Sequence, residues 1–435
     1  MQRFKNLGLC YILNMLTEEQ IKEILIFGRE KMLNKDIGIE REALNTVEEK
    51  MKLPHIVVIT GLRRTGKSTL LRQIIKKFYD DKDFYYINFE DERLFNYPVN
   101  EFNKIYEVLV KLYGEKKTFF IDEIQNIDKF ELFVRRFYDA GFKFFITGSN
   151  ANLLSQEFGT KLTGRHVDIL LTPFSFREFL KLKNIAIDEK SVYLTEKRAI
   201  IKNYFEEYLI NGGMPEYAKF NDIEILERNY NDILLKDIIS RYKVEDINAL
   251  RELYQFLITN FACRFSYNSL MKSVKISSVN TIKKYITYLE ETYFAKLIAK
   301  FDYSLKKILV NDKKIYLADN GFLKIISKKI NKDYGFLLEN IIFNNLSLKE
   351  EVYYDSNGYE CDFIIVKNKE VVKVLQVAYE LNDKNREREI KGLIKAMDKF
   401  KLKQGLIITN NQEEEIKQGN KKIIVKPAWK WLLKI

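Results

Sequence analysis

Residues Gly61-Leu62-Arg63-Arg64-Thr65-Gly66-Lys67-Ser68 fit the pattern G-x-x-x-x-G-K-[ST]. They lie between a short β-branched run, His55 to Thr60 (HIVVIT), and a stretch with helical apolar spacing, Thr69 to Tyr79 (TLLRQIIKKFY). No other stretch constrains the fold as much, because a glycine loop joining a buried strand to a helix requires a sheet for the strand and a packing face for the helix. Gly61 and Gly66 let the backbone turn tightly and present consecutive N–H groups to phosphate oxygens, and the helix beginning near Lys67 adds its positive end. Lys67 can reach β and γ phosphates, and the Ser68 hydroxyl can hold Mg2+. Thr65 and Thr69 complete the expected contact set. Arg63 and Arg64 each read two ways, as solvated basic residues or as further phosphate holders. GKS after a strand can also be a turn with a helix cap, but both flanks favour the nucleotide reading.

A second strand candidate, Phe84 to Glu90, and a helix from Val99 to Tyr113 lead to Thr118-Phe119-Phe120-Ile121-Asp122-Glu123, an apolar run ending in two acids. At the carboxyl end of a strand, Asp122 can bind Mg2+ through water and Glu123 can orient or deprotonate an attacking water. Together with the glycine loop, this pair favours hydrolysis of ATP over kinase-type transfer, and there is no N-K-x-D guanine motif. Phe142 to Thr147 is a further buried strand, followed by Gly148-Ser149-Asn150. Ser149 or Asn150 would stand beside the γ-phosphate as a sensor; the competing reading is a turn capping the next helix. Thr163-Gly164-Arg165 precedes His166 to Leu171, the expected last strand of the same sheet. Arg165 there is either a surface arginine or one that stabilises transition-state charge in its own or a neighbouring subunit.

Length and charge narrow the class. A chain of 435 residues needs several domains, 46% hydrophobic residues supply their cores, and 5 Pro with 18 Gly argue against long disordered linkers. The net charge of +12 suits a polyanionic partner, nucleic acid first, and also an ordinary lysine-rich soluble protein. Cys10, Cys263 and Cys361 form no C-x-x-C pair, so neither a disulfide framework nor a zinc site is expected. The two histidines, His55 and His166, each begin an apolar run, where a structural role is expected. No apolar run reaches membrane-spanning length, and the expected location is cytoplasmic. The residues before Met15 read as a dispensable start.

The series GLRRTGKST, FFIDEIQ, ITGSN, LTGR and LTPFSFREFL, followed by YLINGGMPE at Tyr208 to Glu216, resembles the AAA-type ATPases of archaea and bacteria that carry a C-terminal domain of unknown function. The resemblance runs from about residue 40 to the end. It implies an α/β fold: a P-loop AAA-like parallel-sheet ATPase core with a helical lid, then a winged helix and a restriction-endonuclease-like α/β domain. The corresponding boundaries are an N-terminal helical segment to residue 50, the core at 51–185, the lid at 186–245, the winged helix at 246–330 and the terminal domain at 331–435. Lys236 to Arg241 (KDIISR) matches a further family motif and makes Arg241 a second candidate arginine. A homo-oligomer is compatible with it.

From Ile247 the pattern turns helical. In Ser278 to Phe294, Val279, Ile282, Ile286 and Leu289 share one face, leaving Asn280, Lys283, Lys284 and Thr287 outward. Strand-like AKLIAKFD and KKIYLAD follow, which reads as a winged helix that docks either DNA or protein. In the last part Glu339, Asp362 and Gln376-Val377-Ala378 resemble the acid, Asp and (Glu/Gln)-x-Lys set of restriction-endonuclease-like enzymes. Gln376 lacks a carboxylate and Ala378 an ammonium, so the expectation is a nuclease fold without strong nuclease activity. The leading functional expectation is a Mg2+-dependent ATPase coupled to engagement of DNA or a protein partner. The alternatives are a nucleotide-gated DNA-binding scaffold and an ATP-controlled nuclease.

Overall fold

The computed structural model describes residues 16–79, 83–95, 97–149, 162–188, 190–191, 193–326 and 333–435. Its first sheet is parallel and five-stranded, in the order β2-β3-β4-β1-β5. The strands are β1 (Ile56–Thr60), β2 (Tyr85–Asn88), β3 (Thr118–Asp122), β4 (Lys143–Gly148) and β5 (His166–Leu170). Their sequences are continuously apolar because both faces are covered. Ile56 and Val58 enter the core shared with the helices Glu18–Asn34, Phe102–Tyr113 and Glu131–Asp139. Val57 and Ile59 enter the opposite core with Lys67–Phe78 and Ala43–Lys50. The same alternation pairs the aromatic residues. Phe119 stacks on Phe144 on one face and Phe120 on Phe145 on the other, with ring centroids 5.2 and 4.7 Å apart.

β4 lies between β1 and β3, so these three strands end side by side. Register sets Thr60 beside Gly148 and Ile121 beside Ile146, bringing the glycine loop, Asp122 and Thr147 to one edge. The helix after β1 starts at Lys67, and the one expected from Val99 begins as a 3-10 turn at Val99–Glu101 before Phe102.

Beyond the sheet come the helices Thr195–Asn211, Pro215–Phe220 and Ile223–Asp232, the last running into a π-helical stretch, Ile233–Ser240. Helices Ile247–Thr259, Tyr267–Ser273 and Val279–Glu291 follow, with a small antiparallel sheet of β6 (Arg264–Phe265), β7 (Ala295–Ala299) and β8 (Lys313–Leu317) ordered β6-β8-β7. Along Val279–Glu291, Ile282, Ile286 and Leu289 are buried, while Asn280, Lys283, Lys284 and Thr287 are exposed. The last sheet is mixed and six-stranded, and includes β9 (Glu351–Asp355), β10 (Cys361–Lys367) and β11 (Glu370–Val377). Two of its strands, Glu414–Gln418 and Lys421–Pro427, carry charged residues that gave no strand signal in the sequence.

One apolar cluster runs from Leu62 in the glycine loop through the helical segments to Trp429 and Leu433 near the end of the chain. Among the described residues, no helix is long and apolar enough to cross a membrane.

A tightly packed glycine lies where these parts meet. Gly213 N–H donates to Asp319 Oδ2 at 2.6 Å, and Gly213 O accepts from Phe174 N–H at 2.8 Å. A Cβ on Gly213 would lie 2.3 Å from Phe174 O. Gly213→Ala is therefore expected to lower stability by about 2 kcal/mol or more in urea melts, as overpacking against backbone does. Gly419→Ala, with open space around it and φ of +60°, should cost only about 1 kcal/mol of local strain.

Candidate nucleotide site

The glycine loop has the backbone its sequence demands. Gly61 has φ of +146°, and a Cβ there would fall 2.1 Å from Leu171 O, so glycine is required by both torsion and space. Gly66 has φ of +94° and stands directly before the helix that starts at Lys67. Thr65 is buried, and its Oγ1 donates to Leu62 O at 2.8 Å, closing the loop on itself. Lys67 is also buried, and its Nζ donates to Gly61 O and Leu62 O at 3.1 and 3.2 Å. Burial pushes the Lys67 pKa down, and the carboxylate of Glu123 opposes that shift. A cavity of about 690 Å³ opens over the loop, lined by Ser68 and Thr69, by Glu123, and by Ile39, Phe174 and Pro215.

Asp122 lies at the end of β3 and is 3% exposed. Its pKa is pushed up to about 6, first by burial and then by Glu123 beside it, against hydrogen bonds from Thr147 and Ser68. Thr147 Oγ1 donates to Asp122 Oδ1 and accepts from Glu123 N–H at 3.0 Å. Glu123 adopts a left-handed backbone, φ +52°, and its Oε2 accepts from Gln125 Nε2. Gln125 Nε2 also donates to Ser149 Oγ at 3.3 Å. Ser68, Asp122, Glu123 and Ser149 thus form one chain of hydrogen bonds beside Lys67. Among the described residues, Gln125 Oε1 is buried there without a partner. Asn150 lies outside the described residues.

The candidate arginines are distributed differently. Arg63 grips Asp237 through Nε and Nη2 at 2.8 and 2.9 Å and also lines the cavity over the loop. Arg64 is exposed and lies 3.9 Å from Glu216. Arg165 is at the opposite end of the sheet: its carbonyl accepts from Ile56 N–H, at the start of β1, and its guanidinium is 3.3 Å from Asp139. β1 separates it from the loop by about 15 Å at the usual strand rise, so it does not reach the loop of its own chain. Arg241 follows the π-helical stretch, with a buried Nη1 that has no partner among the described residues.

Sequence reasoning missed Arg41. It is buried, and its Nη1 donates to Thr65 O at 2.6 Å, its Nη2 to Thr172 O at 2.7 Å and its Nε to Glu178 Oε1 at 2.9 Å. Glu178 also closes a capping box with Ser175. An S-x-x-E spacing is a local signal for such a cap, but it carries no signal of the ion pair. Beside the last sheet, Glu339 of the helix Tyr334–Leu346, Glu360 just before β10 and Asp362 within it surround Lys314 Nζ at 3.0, 3.2 and 3.6 Å, next to a cleft of about 1110 Å³. Lys314 comes from β8 in the preceding unit. Gln376 Nε2 donates to Glu389 Oε2 at 2.7 Å, and Ala378 is buried.

A five-stranded parallel sheet with this loop and a neighbouring Asp-Glu pair defines a P-loop protein of AAA type, and the AAA domain family matches residues 53–180. Residues 202–333 match the domain of unknown function DUF8612. The chain belongs to one family with an uncharacterized protein of Methanocaldococcus jannaschii, 36% identical over 96% of this chain and 95% of the relative. An uncharacterized protein of Haemophilus influenzae is 30% identical over 86% of this chain and 94% of its own. Among solved structures, AMPPCP-bound DnaA from Aquifex aeolicus aligns at 16% identity and a TM-score of 0.28, covering 60% of this chain and 93% of that one. The Thermotoga maritima RuvB Holliday junction branch migration motor also aligns at 16% identity and 0.28, covering 65% and 89%. Likenesses at that TM-score carry no functional weight.

Two of the ion pairs at the loop, Arg41–Glu178 and Arg64–Glu216, differ in burial, which gives a test of what holds it. Arg41→Ala leaves Glu178, 4% exposed, without its counter-ion and should lower stability by about 3 kcal/mol or more in urea denaturation. Arg64→Ala breaks an exposed pair and should shift stability by no more than about 0.5 kcal/mol.

Proposed function

We propose that this protein binds ATP with Mg2+ over Gly61 to Ser68 and hydrolyses it, with Glu123 as the base acting on water. The carrying observation is the hydrogen-bonded chain of Ser68, Asp122, Thr147, Glu123, Gln125 and Ser149 beside the buried Lys67. Burial raises the Asp122 pKa and repulsion from Glu123 adds to it, so a divalent cation, which favours the charged carboxylates, fits this donor set. Ser68 and Asp122 would hold Mg2+, which when bound offsets charge on the β and γ phosphates. Lys67 and the N–H groups of Gly66 and Thr69 face the phosphates, while Arg63 and Arg64 reach them only by leaving Asp237 and Glu216. Glu123, held by Gln125, takes the proton of the attacking water, and the free Gln125 Oε1 is an acceptor for that water's other hydrogen. Ser149 or Asn150 reads the γ-phosphate. Arg165 can act only on a neighbour's nucleotide in a homo-oligomer, whereas Arg241 belongs to the same chain's lid.

Coupling is proposed to run from the core through the lid at 186–245 into a winged helix at 246–330. The exposed face of Asn280, Lys283, Lys284 and Thr287, with the net charge of +12, favours DNA as the partner. A cytoplasmic location accords with this chemistry.

A second reading is favoured by Lys314. The sequence lacks an ammonium at Ala378, but Lys314 brings one into the carboxylates of the last domain from outside the resembled motif. Burial lowers the Lys314 pKa and the charges of Glu339, Asp362 and Glu360 more than reverse that, so it stays charged. This supports an ATP-controlled nuclease as the alternative.

Lys67→Ala is expected to abolish ATP binding in calorimetric titration. Glu123→Gln should bind normally while turnover falls by about 10²- to 10⁴-fold, with or without DNA present; normal turnover would remove Glu123 as the base. For the second reading, cleavage of DNA in Mg2+ or Mn2+ by the wild-type chain should disappear in both Asp362→Ala and Lys314→Met, and absence of wild-type cleavage ends it.

A further inference from the structure

The phosphate loop carries three cationic side chains, and each is engaged by a protein acceptor. Lys67 folds back on Gly61 O and Leu62 O. Arg64 lies near Glu216, in a pair that solvent screens. Arg63 makes the strong contact: both prongs of its guanidinium meet both oxygens of Asp237, whose side chain is 4% exposed against 20% for Arg63. These hydrogen bonds raise the Arg63 pKa further, so the arginine stays charged throughout.

Asp237 belongs to a different part of the chain. It sits inside the π-helical stretch Ile233–Ser240, which packs Ile233, Leu234 and Ile238 into the long apolar cluster and leads toward the helix Ile247–Thr259. π-helical turns are rare and concentrate at functional sites. The same stretch ends at Arg241, whose Nη1 is buried without a partner among the described residues.

A guanidinium fork that holds a carboxylate bidentately is equally suited to phosphate oxygens, and it cannot serve both fully at once. If Arg63 turns to phosphate, Asp237 remains buried without its counter-ion, a state that proteins relieve by moving or hydrating the group. We propose that nucleotide phosphates and Asp237 compete for Arg63, so that Asp237 is the positioning residue through which occupancy of the loop loosens residues 233–240. Nucleotide binding then changes how the helical segment, and the unit after it, sit against the ATPase core. The inference rests on the nucleotide reading above and adds to it the residue that transmits occupancy.

The test uses the full chain, titrated with Mg2+ and the non-hydrolysable analogue AMPPCP, with hydrogen exchange followed in residues 233–240. Asp237→Asn should bind the analogue on the order of tenfold tighter than wild type, since no carboxylate then competes. In the wild type, exchange across 233–240 should rise on binding; in Asp237→Asn it should already be fast and should not respond. Arg63→Gln provides an independent arm if Asp237→Asn does not fold: it should exchange fast at 233–240 without nucleotide and bind the analogue more weakly. A wild-type chain that binds no analogue overturns the nucleotide reading and the competition with it. A chain that binds, but in which Asp237→Asn is no tighter and exchange at 233–240 is unmoved, overturns the competition alone.

Discussion

The phosphate loop keeps its shape because a buried guanidinium outside it holds it from behind. Arg41 contacts Thr65 O, Thr172 O and Glu178 at once, and it lies over the Phe174 ring at 4.9 Å. A guanidinium suits this place because its donors are fixed in a plane and its charge is not lost on burial. Glu178 in turn caps the helix Phe176–Leu182 with Ser175, so the cap, the ion pair and the loop share one carboxylate. Loop geometry therefore depends on residues that come both before and after the motif.

Charge organises the remainder as well. The loop's two arginines are matched by carboxylates of the helical segment, and the acids of the last domain are matched by a lysine of the small antiparallel sheet. Each pairing crosses from one part of the chain to another. The apolar cluster does the same, joining Leu62 to Leu433 without interruption. Asp319 adds a polar tie, accepting from the N–H groups of Gly213 and Gly321 at 2.6 and 2.8 Å while its pKa is pushed up to about 7 by burial. With these ties in place, a change at the nucleotide site has a continuous physical route to the C-terminal half.

Much of the core was legible because its signals are local. Continuous β-branched and aromatic runs identified β1, β3 and β4, and the glycines at 61 and 66 identified the turn between strand and helix. The helix Val279–Glu291 was legible by its period, with Ile282, Ile286 and Leu289 inward. Two features were not legible for opposite reasons. Glu414–Gln418 and Lys421–Pro427 are strands rich in charge, whose pairing with each other and with Gln404–Thr409 decides their state. Arg165 directly precedes β5, and the direction of that strand puts it at the end of the sheet away from the loop.

By itself, the sequence determined that a strand, a glycine loop and a helix follow one another and that an acidic pair ends a later strand, since backbone torsions and hydrophobic periodicity act over a few residues. Only the tertiary structure decided who neutralises whom. Arg63 meets Asp237, Arg41 meets Glu178 and Lys314 meets Asp362 because folding brings together groups far apart along the chain. In a buried setting, where an unpaired charge is costly, such pairings are settled by proximity in space and leave no spacing pattern to read.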